Sequence, residues 1–123
     1  YKQRKVANQV ENMTVIGDVK GKNVVIVDDM CDTAGTLTKA ADLMMEHSAL
    51  SVRAICTHPV LSGPAYERIA NSSLQELIVT DSIPLRTDVD TSKITVLPVH
   101  DMFAQTLRCL MANKSISSQF TLQ

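Results

Sequence analysis

Residues 24–45 read VVIVDDMCDTAGTLTKAADLMM, and within them two adjacent carboxylates, Asp28 and Asp29, are followed by Asp32, Thr33, Ala34, Gly35 and Thr36. An ionised carboxylate only accepts hydrogen bonds, so the pair suits the vicinal hydroxyls of a sugar or a magnesium ion. Beyond it a helix begins. Its unpaired backbone N–H groups and the positive end of its dipole favour an anion such as phosphate. Gly35 lets the backbone come close to that anion, and the hydroxyls of Thr33 and Thr36 can donate to it. Taken singly, these residues are a solvated strand end and an ordinary helix N-cap at Asp32 or Thr33. Together they point to a sugar phosphate. Cys31 lies in the same loop near a helix N-terminus, a setting that lowers a thiol pKa and favours oxidation or alkylation.

The elements that must hold this loop alternate between strand and helix. Val24–Val27 is β-branched toward both faces, as in a strand buried within a parallel sheet, and the strand should finish where the aspartates begin. Leu37, Ala40, Ala41, Met44 and Met45 fall on one helical face, giving a helix from Gly35 to about His47. Residues 51–58, 74–81 and 93–99 read as further strands, residues 63–71 as a short helix with Pro64 in its first turn, and residues 100–113 as a closing helix striped by Met102, Phe103, Thr106 and Leu110. A short strand is also expected at 13–18, with a turn at Gly21. Residues 1–12 are polar and basic and read as an arm or loop. Such alternation predicts right-handed crossovers and a mostly parallel α/β sheet flanked by helices, with ligands at the carboxyl ends of its strands.

Composition narrows the function. The 123 residues suit one domain, and 3% aromatic content leaves the core to Val, Ile, Leu, Met and Ala. Twelve basic against thirteen acidic residues give a net charge of −1, which argues against a nucleic-acid surface. No apolar run approaches the ~18 residues that span a bilayer, so neither a membrane nor a secretory route is expected and a cytoplasmic location is. Cys31, Cys56 and Cys109 are scattered, as free thiols are. His58, at a predicted strand end, reads as structural, and Ser62 as the cap of the helix that follows.

VVIVDDMCDTAGT resembles the phosphoribosyl pyrophosphate signature of type I phosphoribosyltransferases and of ribose-phosphate diphosphokinases. The flanking stretches KQRKVANQVENMTVIGDVKGKNV, CTHPVLSGPAYERI, VTDSIPL and NKSISSQF are similar to the diphosphokinases, from Lys2 to Phe120. The resemblance implies the C-terminal half of such an enzyme, with a phosphoribosyltransferase-like fold at 18–123, an arm or hairpin at 1–17 and an N-terminal domain outside this chain. It implies transfer of the diphosphoryl group of ATP to the 1-hydroxyl of ribose 5-phosphate. Lys2 would be the catalytic lysine and Arg4 its substrate-contacting partner; Asp28, Asp29, Asp32, Thr33, Ala34, Gly35 and Thr36 would hold ribose 5-phosphate.

Magnesium is the implied cofactor, with its ligands mainly in the absent domain and no metal site in this chain, so the chain alone is expected to be inactive. Ser115, Ser117 and Phe120 resemble a regulatory tail for phosphate or ADP, and a homo-oligomer is expected at full length. Ser48 stands where relatives usually carry glycine, at a left-handed position after the helix, and should cost on the order of 1 kcal/mol. A type I phosphoribosyltransferase is the alternative, although the Lys-x-Arg arm speaks against it; another is a non-catalytic regulatory homologue.

Overall fold

Four strands and three helices follow one another along the chain in a computed structural model that describes residues 13–119: β1 (Asn23–Cys31), α1 (Gly35–Glu46), β2 (Ser51–Pro59), α2 (Ala65–Asn71), β3 (Glu76–Thr80), β4 (Ile94–Leu97) and α3 (His100–Met111). A single 3-10 turn, Ser117–Gln119, closes the described part. The strands form one sheet in the order β1-β2-β3-β4, and every pair is parallel. The expected α/β architecture is therefore present.

Alternation along the strands decides what is buried. Val52, Ala54 and Cys56 of β2 and Leu77 and Val79 of β3 point to one face and are sealed there, together with Leu37 and Ala41 of α1 and Ala65, Tyr66 and Ile69 of α2. Burying that apolar face against two helices supplies the main driving force for folding. The core differs from the composition-based expectation in two ways. Tyr66 enters it because its hydroxyl finds a partner, accepting from the Arg86 backbone N–H at 3.1 Å, and no methionine is fully buried.

Several boundaries differ from those read in the sequence. Residues 13–18 form no strand; the Asp18 carboxylate instead accepts from the Lys20 backbone N–H and shapes the turn into β1. Strand β1 continues through both aspartates to Cys31, because Asp28, Met30 and Cys31 keep their register against Cys56, His58 and Pro59 of β2. Helix α2 starts two residues late, with Pro64 as its N-cap and not in its first turn. The inward face of α1 is also rotated: Thr38 is 7% exposed whereas Met45 is 37% exposed. A hydroxyl is tolerated inside because it donates to the Ala34 carbonyl at 2.8 Å.

The end of α1 matches expectation. The Ser48 N–H donates to the Met45 carbonyl and the Ala49 N–H to the Met44 carbonyl, a paired closure with Ser48 at φ +66°. Helix α3 closes the same way around Asn113, at φ +52°.

Candidate functional site

The candidate loop begins at the carboxyl end of β1, an edge strand, so both aspartates stay exposed although they lie inside a regular ladder. Alternation turns them toward opposite faces of the sheet, which separates the two like charges. The Asp28 carboxylate accepts from the Asp29 backbone N–H at 2.9 Å, and the Asp29 carboxylate accepts from the Met30 N–H at 2.8 Å. The Asp28 carboxylate keeps acceptor capacity beyond the first of these bonds.

Past Cys31 the chain turns into α1 through Ala34, which sits in the left-handed region at φ +58° and ψ +5°. A non-glycine residue pays roughly 1–2 kcal/mol there. The neighbouring core holds it, since Ala34 is buried and its carbonyl accepts from both the N–H and the hydroxyl of Thr38. The helix that starts here has no side-chain cap. Among the described residues neither Asp32 nor Thr33 fills that role, so no capping side-chain oxygen of theirs meets the first N–H groups of α1.

Asp32 is used elsewhere. One of its carboxylate oxygens accepts from the Ser62 hydroxyl, and its carbonyl accepts from the Ser62 N–H at 3.0 Å. Leu61 N–H likewise donates to the Cys31 carbonyl at 3.0 Å. Ser62 is thus no cap for α2, whose start makes no side-chain cap bond; it ties the segment before α2 to the loop after β1. Gly35 has a role different from the one expected of it. Its φ is not in the left-handed region; a Cβ placed there would meet Nη1 of Arg68 at 3.0 Å. That same Nη1 donates to the Thr33 carbonyl at 2.9 Å. Arg68 and Ser62 were not among the residues expected at the site. Both reach it from the segment after β2 across 30 or more positions of sequence.

The thiol of Cys31 departs from expectation most clearly. It is buried, and burial pushes its pKa up to about 11, with the nearby Cys56, Asp28 and Asp32 adding to the shift and a backbone hydrogen bond from Ala34 opposing it. Burial likewise raises Cys56, helped by Asp28. Cys31 is an inert part of the loop's underside. At the other strand ends His58 Nδ1 lies 3.0 Å from the Ser82 hydroxyl, and that hydroxyl and the Thr80 hydroxyl both donate to the Thr57 carbonyl. The structural role expected for His58 fits these contacts.

The remaining candidates lie apart from the loop in sequence. Ser115 and Ser117 share a hydroxyl–hydroxyl bond of 2.7 Å, and the Ser117 N–H donates to the Ser115 hydroxyl. Lys2, Arg4 and Phe120 lie outside the described residues. Among the described residues no three His, Cys, Asp or Glu side chains cluster in a way that could hold a metal. No helix among them is long and apolar enough to cross a membrane.

A parallel α/β sheet with an acidic pair at the carboxyl end of its first strand, followed by a short loop into a helix, defines the class: a helix-flanked α/β domain whose candidate site lies at the carboxyl end of a strand. The chain belongs to the phosphoribosyl synthetase-associated domain family, whose model matches residues 3–121. It is 55% identical over 119 residues to a ribose-phosphate pyrophosphokinase of Helicobacter hepaticus and 52% identical to one of Campylobacter jejuni, in each case over 97% of this chain and 38% of the relative. The chain thus spans 38% of the length of these curated relatives. A crystal structure of phosphoribosylpyrophosphate synthetase from Mycobacterium smegmatis superposes with a TM-score of 0.77 at 41% identity, covering 80% of this chain and 33% of that one.

Proposed function

We propose that this chain is the part of a ribose-phosphate diphosphokinase that holds ribose 5-phosphate, and that it lacks the parts needed for turnover alone. The observation that carries the reading is the pairing of exposed Asp28 and Asp29 with a helix start that no side chain caps among the described residues, separated from the strand end by the three residues 32–34. In the proposed arrangement Asp28, with Asp29 beside it, accepts from ribose hydroxyls. The backbone N–H groups from Thr33 to Thr36 take the 5-phosphate, helped by the threonine hydroxyls. Asp32 contributes as an anchor through Ser62, which keeps the loop closed on itself.

In the full-length reaction the 1-hydroxyl oxygen of ribose 5-phosphate bonds to the β-phosphorus of ATP. The bond between that phosphorus and the α,β-bridging oxygen breaks, AMP leaves, and the hydroxyl proton is lost. Such a step depends on positioning and on balancing charge at the transferring oxygens, the roles proposed for Lys2 and Arg4. Magnesium would balance the charge of the diphosphoryl group. Its ligands are proposed to lie mainly outside the described residues, among which no three His, Cys, Asp or Glu side chains cluster. Division of the chain into an arm at 1–17 and a domain at 18–123, a cytoplasmic site of action, a homo-oligomer, and phosphate or ADP acting through Ser115, Ser117 and Phe120 complete the proposal.

Calorimetric titration of the 123-residue chain with ribose 5-phosphate, ribose 1-phosphate and orotate tests it. Ribose 5-phosphate alone should bind, and Asp28→Asn should weaken it about tenfold, the loss expected for a charged acceptor. A preference for orotate would move the chain to the phosphoribosyltransferases. Ordinary synthesis of phosphoribosyl pyrophosphate by this chain alone would refute the division of labour.

A further inference from the structure

We infer that Arg68 is a positioning residue for the loop at 32–36, and that Gly35 is glycine to leave room for its guanidinium. The inference rests on the proposed binding of ribose 5-phosphate by that loop. Three observations carry it. Arg68 Nη1 donates to the Thr33 carbonyl at 2.9 Å, and the same nitrogen sits 3.0 Å from where a Cβ on Gly35 would be. Gly35 does not need glycine for its backbone angle, since the left-handed residue of this turn is Ala34. Arg68 is otherwise exposed on α2, and among the described residues Thr33 is the one acceptor its guanidinium has.

The chemistry follows from charge. The loop carries Asp28, Asp29 and Asp32, and a loop carbonyl free to rotate toward the ligand would add further negative potential where a dianionic phosphate must bind. A guanidinium on the Thr33 carbonyl removes that option by engaging its lone pair and fixes the peptide between Thr33 and Ala34. Among the described residues Arg68 is the one cation hydrogen-bonded to residues 32–36, so it also brings a permanent positive charge next to the helix start. Lysine would keep the charge but not the planar fork, whose Nη1 and Cζ stand 3.0 and 3.8 Å from where a Cβ on Gly35 would be.

Three variants, Arg68→Ala, Gly35→Ala and the pair together, test this in the 123-residue chain by ribose 5-phosphate calorimetry, melting temperature and, without ligand, amide hydrogen exchange of Thr38 and Ser62, whose N–H groups donate to the Ala34 and Asp32 carbonyls of the loop. Arg68 is exposed, so Arg68→Ala should leave the melting temperature within about two degrees of the parent. It should raise the dissociation constant for ribose 5-phosphate about tenfold and speed exchange at Thr38 and Ser62. Gly35→Ala, whose Cβ would stand 3.0 Å from Nη1, should displace the guanidinium by a few tenths of an ångström and move both readouts in the same direction by a smaller amount, and the double variant should be no worse than the more damaging single one. Additive losses in the double variant, or unchanged exchange in Arg68→Ala, would overturn the inference. If the parent chain binds no ribose 5-phosphate, the proposed function fails, and the exchange measurement still decides whether Arg68 orders the loop.

Discussion

Ser48→Gly should stabilise the chain, and the size of the effect can be worked from the turn itself. Ser48 holds φ +66° at the end of α1, where two backbone bonds, Ser48 N–H to the Met45 carbonyl at 2.9 Å and Ala49 N–H to the Met44 carbonyl at 3.1 Å, close the helix. Neither bond uses the serine side chain, and its own carbonyl accepts from Gly21 N–H, so glycine keeps all three. A side chain in this region costs roughly 1–2 kcal/mol, while the greater freedom of glycine in the unfolded chain returns roughly 0.5–1 kcal/mol of that. The net gain is about 0.5–1 kcal/mol. With an unfolding entropy of about 2.1 cal/mol/K per residue, it amounts to a rise of roughly 2–4 °C in Tm. Thermal unfolding by circular dichroism measures it, with Ser48→Ala as the control that keeps a Cβ and should gain nothing. Asn113 occupies the same position after α3, at φ +52°, and asparagine tolerates that region, so Asn113→Gly should gain less. A Ser48→Gly chain that melts no higher than Ser48→Ala would refute the argument.

Cys31 and Cys56 should react with iodoacetamide at pH 8 far more slowly in the folded than in the unfolded chain, as mass spectrometry of the labelled peptides can show, because burial holds both thiols protonated. Folding favours the neutral Cys31 thiol, so its contribution to stability is complete below pH 9 and is lost as pH rises toward 11. The loss is on the order of 2 kcal/mol, and Cys31→Ala should flatten that part of a pH series of denaturant midpoints. Thr38→Val should cost about 1 kcal/mol by urea unfolding, since it removes a buried hydroxyl bonded to the Ala34 carbonyl while keeping the shape of the side chain. Arg53→Ala should change stability by no more than about 0.5 kcal/mol in the same assay, because the Arg53–Glu76 pair, at 3.4 Å, is well exposed to solvent.

The alternation of strands and helices was legible because each strand has a run of β-branched or apolar residues and α1 has a helical period, signals that are local. The loop at 28–36 was legible for the same reason: its carboxylates, threonines and glycine are contiguous. What escaped was set by contacts across the fold. Thr38 faces the core where hydrophobicity favours Met45, because a back-bonded hydroxyl next to Ala34 is cheap to bury. Cys31 read as an activated thiol from its place before a helix, yet desolvation outweighs the backbone hydrogen bond from Ala34 once the side chain is buried. Ser62 and Arg68 carry no motif that ties them to a loop 30 or more residues away.

Strand β1 makes the same point about faces. Its β-branched residues on both sides read as burial on both sides, but Val24 and Ile26 pack against the core whereas Val27 is 76% exposed. The cause is topological. With strand order β1-β2-β3-β4, crossovers of one hand put α1 and α2 on the same face, where they touch each other, and the other face receives neither. A sheet composed for two covered faces therefore shows one of them bare among the described residues, and α3, with no buried residue, does not fill it. The carboxyl end of β1 lies at that boundary. Asp28 is in register with Cys56 and turns toward the helix-covered side, while Asp29 belongs to the side of Val25 and Val27. The acidic pair thus divides between the two faces of the sheet, which explains how two adjacent carboxylates coexist there and puts Asp28, not Asp29, on the side against which α1 packs.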